Sequence, residues 1–235
     1  MKCGNNIVTW VSMKKANKLD KAAILCRKKF LYYFPHGFTD KKYCAWERNY
    51  KWEAHQQWQL QLNSVEFKKL LDSRSYDEIA NRAVRIETKT NLLFSFEKMA
   101  LRDAVKTSSG AKLFATGLYE FLYAGTADKK SFDMLSSTLA SLPRKQTRVH
   151  TWPLQTVFGF IAKPTQHIFL KPRVTQASAK NYNFPFVYSS KPNWETYQNL
   201  LAYAGTIRKD NIDLRPRDFI DLQSFIWVNG SDEYD

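Results

Sequence analysis

The chain has 235 residues, 44% of them hydrophobic and 15% aromatic, which is enough to bury a sizeable core and excludes an intrinsically disordered protein. Its 36 Lys and Arg against 22 Asp and Glu leave a net charge of +14, pointing to a polyanion, an anionic surface or an acidic protein as partner. Cys3, Cys26 and Cys44 are odd in number and form no C-x-x-C pair, so neither a disulfide framework nor a zinc knuckle is expected.

The first half reads as helices. Asp20 caps a segment in which Ala23, Ile24, Cys26, Phe30 and Leu31 follow helical spacing, stopped by Pro35-His36-Gly37. Asp40 precedes a run to Leu62 without Gly or Pro, where Tyr43, Trp46, Tyr50, Ala54, Trp58 and Gln61 form one core-facing stripe. Ser64 and Ser75 are the next expected caps, Ser75 with Glu78 at capping-box spacing. From Tyr76 to Val105 apolar residues recur at helical intervals; Ser108-Ser109-Gly110 interrupts, a helix resumes from Ala111 to Tyr123, and another from Phe132 stops at Pro143.

The second half is less regular. Thr151-Trp152-Pro153 opens a short apolar helix through Ile161. Residues 167–170 and 184–188 read as short extended segments, with a helical piece from Val174 to Asn181 between them. Asn193 caps a clear helix, and Pro216 suits the first turn of a last one through Val228. The expected fold is mainly α: a multi-helix globular bundle forming a single domain over residues 1–235, with a small two-stranded β element near residues 165–190. A change in charge balance makes a subdomain boundary near 143 the alternative.

That change is the most informative feature for function. From Met134 to Trp194 there is no Asp or Glu, while eight Lys and Arg and nine aromatic residues are interleaved. A one-signed stretch attracts polyanions, and rings offer faces on which bases stack. Arg144, Lys145 and Arg148 follow a helix end, where phosphates can approach; Gln146, Thr147 and Thr151 can add hydrogen bonds, and Trp152 either stacks or joins the core. Lys171 and Arg173 form a second basic pair. Lys14, Lys15, Lys18, Lys21, Arg27, Lys28 and Lys29 extend the surface if the fold brings them near. His167 reads as a hydrogen-bonding residue, since no ligand partner stands at metal spacing.

A third candidate lies in Arg48-Asn49-Tyr50-Lys51-Trp52-Glu53-Ala54-His55. At ~100° per residue, Arg48 and His55 share a helix face with Trp52 between them, away from the aromatic stripe. An Arg to hold phosphate and a His to move a proton would suit metal-independent RNA cleavage. These residues resemble the motif of HEPN-type ribonucleases, an Arg followed by a polar residue and, a few residues on, a His. The resemblance covers eight residues. It implies a helical bundle whose paired subunits cut RNA, with Arg48 and His55 as the catalytic pair. Arg144 and His150 satisfy the same spacing. Glu87-Thr88-Lys89 has the E-x-K form of restriction-type nucleases but lies in a helical context, and Asp218 and Asp221 are spaced to share a cation.

No G-x-x-x-x-G-K-S/T, G-x-G-x-x-G or G-x-S-x-G motif is present, which disfavours nucleotide hydrolysis, dinucleotide binding and esterase chemistry. No cofactor or metal is called for. No stretch approaches the ~20 apolar residues of a membrane span, and residues 7–11 are too short for a signal-peptide core, so the expected compartment is the cytoplasm. The leading reading is a protein binding RNA or DNA through residues 144–173. The alternatives are a ribonuclease using Arg48 and His55, and an interaction component with an acidic protein partner or a homo-oligomer.

Overall fold

A computed structural model describes residues 20–145 and 147–234; Cys3, the apolar run 7–11, Lys14, Lys15, Lys18 and Gln146 lie outside them. Helix α1 (Lys21–Tyr33) starts where Asp20 accepts from the Ala22 amide. Asp40 then caps α2 (Lys41–Tyr43), which runs through a π-helical segment (Cys44–Arg48) into α3 (Asn49–Gln61). Helices α4 (Ser64–Asp72), α5 (Tyr76–Thr88), α6 (Ser95–Val105), α7 (Ser108–Tyr123) and α8 (Lys129–Ser141) follow. The second half holds α9 (Trp152–Ala162), α10 (Pro172–Asn181), α11 (Trp194–Asp210) and α12 (Phe219–Gly230).

The apolar residues gather in two clusters. One joins α3 to α9, through Trp58, Phe67, Ile79, Phe114, Leu118 and Phe158. The other joins α1 to the last three helices, through Phe30, Phe34, Tyr197, Tyr203 and Phe225. Helix α9 is apolar on nearly every side and buried at every residue, the signature of a core helix. It serves both clusters, Leu154 and Phe158 in the first and Trp152 in the second. Leu139, Leu142, Val149 and Leu154 share one cluster, so the core runs across residue 143 despite the change of charge there. Helices α10 and α12 cross closely at Gly230, where a Cβ would stand 2.1 Å from the Val174 carbonyl oxygen.

The mainly helical class is observed, but the two-stranded β element is not: no strand occurs among the described residues. The extended segments do not pair with each other: His167, Phe184 and Phe186 donate to nearby backbone carbonyls, and other amides donate to side chains. Ile168 N–H donates to Tyr197 Oη (3.2 Å) and Leu170 N–H to Thr156 Oγ1 (3.0 Å). Val187 N–H donates to Asn199 Oδ1 (2.8 Å) and Ser189 N–H to Thr196 Oγ1 (3.2 Å), while Pro185 has no amide hydrogen to offer. Neighbouring helices thus take the place of a ladder.

Other expectations shift locally. Asn63, not Ser64, caps α4, accepting from Val65 and Glu66. Ser75 makes no capping bond; its hydroxyl meets Ser73 Oγ (3.0 Å), and Glu78 pairs with Arg82 (2.6 Å). The Tyr76–Val105 run breaks at residues 89–94, and α12 begins at Phe219, capped by Asp218, rather than at Pro216. The largest shift comes from the π segment, whose extra residue per turn rotates the helix face by about 100°. Tyr43, Ala54 and Trp58 face the core as the stripe predicts; Trp46 swings to solvent, while Glu47, Arg48 and Lys51 turn inward.

Candidate nucleic-acid interface

A cleft of about 630 Å³ opens between the starts of α9 and α10, the end of α12 and the loop entering α6. It is lined by Arg148, Lys171 and Arg173 from two separate parts of the acid-free stretch, together with Phe94, Phe96, Tyr188 and Trp227. Phe94 and Phe96 are 54% and 47% exposed. Their rings lie nearly parallel, 5.6 Å apart at 19°. Local chemistry fixes this geometry. Glu97 accepts from the Phe94 amide (2.9 Å) at the start of α6, Thr151 caps α9 and Pro172 opens α10.

The basic residues meet different fates. Arg148 and Arg173 are exposed and form no ion pair among the described residues. Lys171 is buried: its Nζ donates to the Leu92 carbonyl (2.8 Å) and stands 3.6 Å from the Phe94 ring centre. Burial lowers its pKa. It braces the loop before α6 against α10 and puts its charge beneath the aromatic pair. Arg144 and Lys145 are exposed but outside the cleft lining, Lys145 being 4.0 Å from Asp103. Trp152 belongs to the core and is 2% exposed, though it forms part of the cleft wall; its Nε1–H donates to the Ser189 carbonyl (2.7 Å). Burial lowers the pKa of His150, and the charges of Lys191 and Arg148 lower it further. Toward the N-terminus, Lys21 and Lys28 are exposed, while Arg27 is paired with Asp213 (2.5 Å).

Asp232 and Glu233 give the cleft an acidic lip, with Glu233 accepting from Trp227 Nε1–H (3.2 Å). Sequence reasoning missed the Phe94–Phe96 pair. The available signal was Leu93-Phe94-Ser95-Phe96, where two Phe at alternate positions cannot both face the core of a helix.

Arg48 is 7% exposed. Its guanidinium donates to both oxygens of Asp218 (2.9 and 2.7 Å) and to Asp221 Oδ1 (2.8 Å). Burial works against that charge, but the two carboxylates more than offset it and its pKa stands above the ordinary arginine value. Tyr43 Oη–H (2.6 Å) and Arg217 Nε–H (2.9 Å) also donate to Asp221. The cation that Asp218 and Asp221 share is thus the Arg48 side chain.

His55 is half-buried; its Nδ1 donates to the Ile161 carbonyl (2.8 Å), leaving Nε2 as acceptor. Trp52 does lie between the pair, 5.2 Å from the Arg48 guanidinium and 4.9 Å from the His55 ring. Yet Arg48 faces inward with its donors engaged, while His55 lines a separate polar cleft with Lys163 and Tyr123. The fold does not bring the two to a common ligand position.

Glu87 is buried 3.6 Å from Lys98, and Lys89 points to solvent. His167 is buried against Phe121 (4.8 Å), its pKa pushed down to about 4 by burial and by Lys163. Burial pushes the Cys26 thiol up to about 11, an unreactive state. No group of three or more His, Cys, Asp or Glu suited to a metal occurs among the described residues, and none of their helices is long and apolar enough to cross a membrane. Compared with known protein families, curated proteins and solved structures, the chain matches none.

Proposed function

We propose that the protein binds single-stranded nucleic acid in the cleft at the starts of α9 and α10. Phosphates would lie along Arg148 and Arg173, and bases would stack on Phe94, Phe96 and Tyr188. The observation that carries this reading is the meeting, in one cleft, of two exposed unpaired arginines with two exposed, nearly parallel phenyl rings. Guanidinium groups without a carboxylate neighbour are available for phosphate oxygens, and aromatic faces hold bases without regard to sequence.

A single strand is favoured over a duplex because only unstacked bases can reach rings inside a cleft. The acidic lip gives the site a direction. Asp232 and Glu233 repel phosphates, so the backbone runs along the arginine edge and the bases turn toward the rings. Fluorescence anisotropy with a labelled 12-nucleotide strand and the same sequence as duplex tests this. The single strand should bind at least tenfold more tightly at equal salt. Equal affinity for the duplex, or no binding of either, would remove the reading.

A further inference from the structure

Phe96 lines the cleft and also opens the solvent-facing side of α6. At ~100° per residue, Phe96, Met99, Arg102, Asp103 and Lys106 fall within about 120° of one another on that helix and its C-cap, and all five are exposed. Met99 is 57% exposed and stands one turn on from Phe96, where helix side chains are neighbours. The apolar surface of Phe94 and Phe96 therefore continues along α6 instead of ending at the cleft mouth.

The charges on this stripe are mainly positive and available. Arg102 reaches the Thr88 hydroxyl (3.2 Å), and neither it nor Lys106 forms an ion pair among the described residues. Asp103 is the one exposed acid of α6, and Lys145 stands 4.0 Å from it. Lys145 thus sits by the far end of α6 while Arg148 lines the cleft at the near end, so the acid-free stretch flanks the stripe. Cations without a carboxylate partner, beside exposed apolar side chains that lead out of the cleft, suit a ligand carrying both phosphates and bare base faces.

We propose that the bound strand leaves the cleft past Phe96 and runs along the exposed face of α6, its phosphates meeting Arg102, Lys106 and Lys145 and one base lying against Met99. This rests on the strand-binding reading and extends its footprint beyond the cleft. From Phe96 to Lys106 the helix rises about 15 Å, the length of roughly four nucleotides at the ~3.4 Å spacing of a stacked strand.

The test is anisotropy with a single-stranded 12-mer on the wild type, on Arg102→Ala with Lys106→Ala, and on Lys21→Ala with Lys28→Ala. The last pair removes the same charge from α1 and does not line the cleft. All four side chains are exposed, so both variants should melt at the wild-type temperature. The α6 variant should bind about tenfold more weakly, with its salt slope reduced by about 1.4, the amount two single-strand phosphate contacts contribute. The α1 variant should bind within about twofold of the wild type with an unchanged slope. An α6 variant that binds like the wild type, or an equal loss in both variants, would overturn the proposal. Arg148→Ala with Arg173→Ala separates this surface from the cleft. Weaker binding in that variant with none lost at α6 would reject the α6 track alone. Loss at α6 with none in that variant would keep the α6 face as a strand site and reject the cleft, and a wild type that binds no oligonucleotide would reject both.

Discussion

Arg48 lies between Asp218 and Asp221 in the interior, whereas Arg148 stands in solvent at the mouth of an aromatic cleft with no carboxylate paired to it among the described residues. Both arginines sit in sequence contexts that suggest phosphate binding, and the fold assigns them opposite work. The difference comes from what packs opposite each: the first turn of α12 delivers two acids to Arg48, while the acid-free stretch gives Arg148 only lysines, rings and polar neighbours. A buried pair of this kind contributes through its completeness, since removing one partner strands the others in a low-dielectric interior. A cation at a cleft mouth matters only when an anion arrives.

The contrast can be broken most visibly at Arg48. Arg48→Ala should lose about 3–5 kcal/mol in urea denaturation, because buried Asp218 is left without its cation and Asp221 keeps only Arg217. Arg148→Ala should change stability by less than about 0.5 kcal/mol in the same measurement. Equal small effects at both positions would erase the distinction.

The histidines give a second contrast, readable through pH. His167 has a folded pKa of about 4, below its unfolded value of about 6.5. The unfolded chain therefore binds the proton more readily, and the stability from the buried neutral ring is lost as pH falls between those values. About 2 kcal/mol should disappear from pH 7 to 4.5 in the wild type and remain in His167→Gln, measured by denaturation at each pH.

Smaller effects sharpen the cleft itself. Phe94→Ala with Phe96→Ala should weaken single-strand binding at least about thirtyfold, each stacked base contributing ~1–3 kcal/mol, with no change in salt slope. Asp232→Asn should tighten binding about twofold at low salt by removing a repulsive charge from the lip, an effect that screening removes above ~0.5 M salt. Anisotropy titrations read both.

Much of the helical frame was legible because capping and periodicity are local. Asp20, Asp40, Asp128, Thr151 and Asn193 each cap the helix that follows. The β element failed because partners for the extended amides come from distant helices, Tyr197 and Asn199 among them, which no local pattern announces. The π segment failed for a related reason: one inserted residue turns Arg48 from the solvent face to the core while leaving the composition unchanged. Of the candidate site, Arg148 and Arg173 could be read from the acid-free run. Phe94, Phe96 and Trp227 could not, since only folding sets α6 and α12 beside that run.

The central claim, that a phosphate backbone lies along two unpaired arginines, is tested most directly by salt. Log affinity for a single-stranded 12-mer should fall linearly with log salt, and Arg148→Ala with Arg173→Ala should reduce the slope by about 1.4. A slope unchanged in the double variant, or a wild type whose affinity ignores salt, would contradict the account.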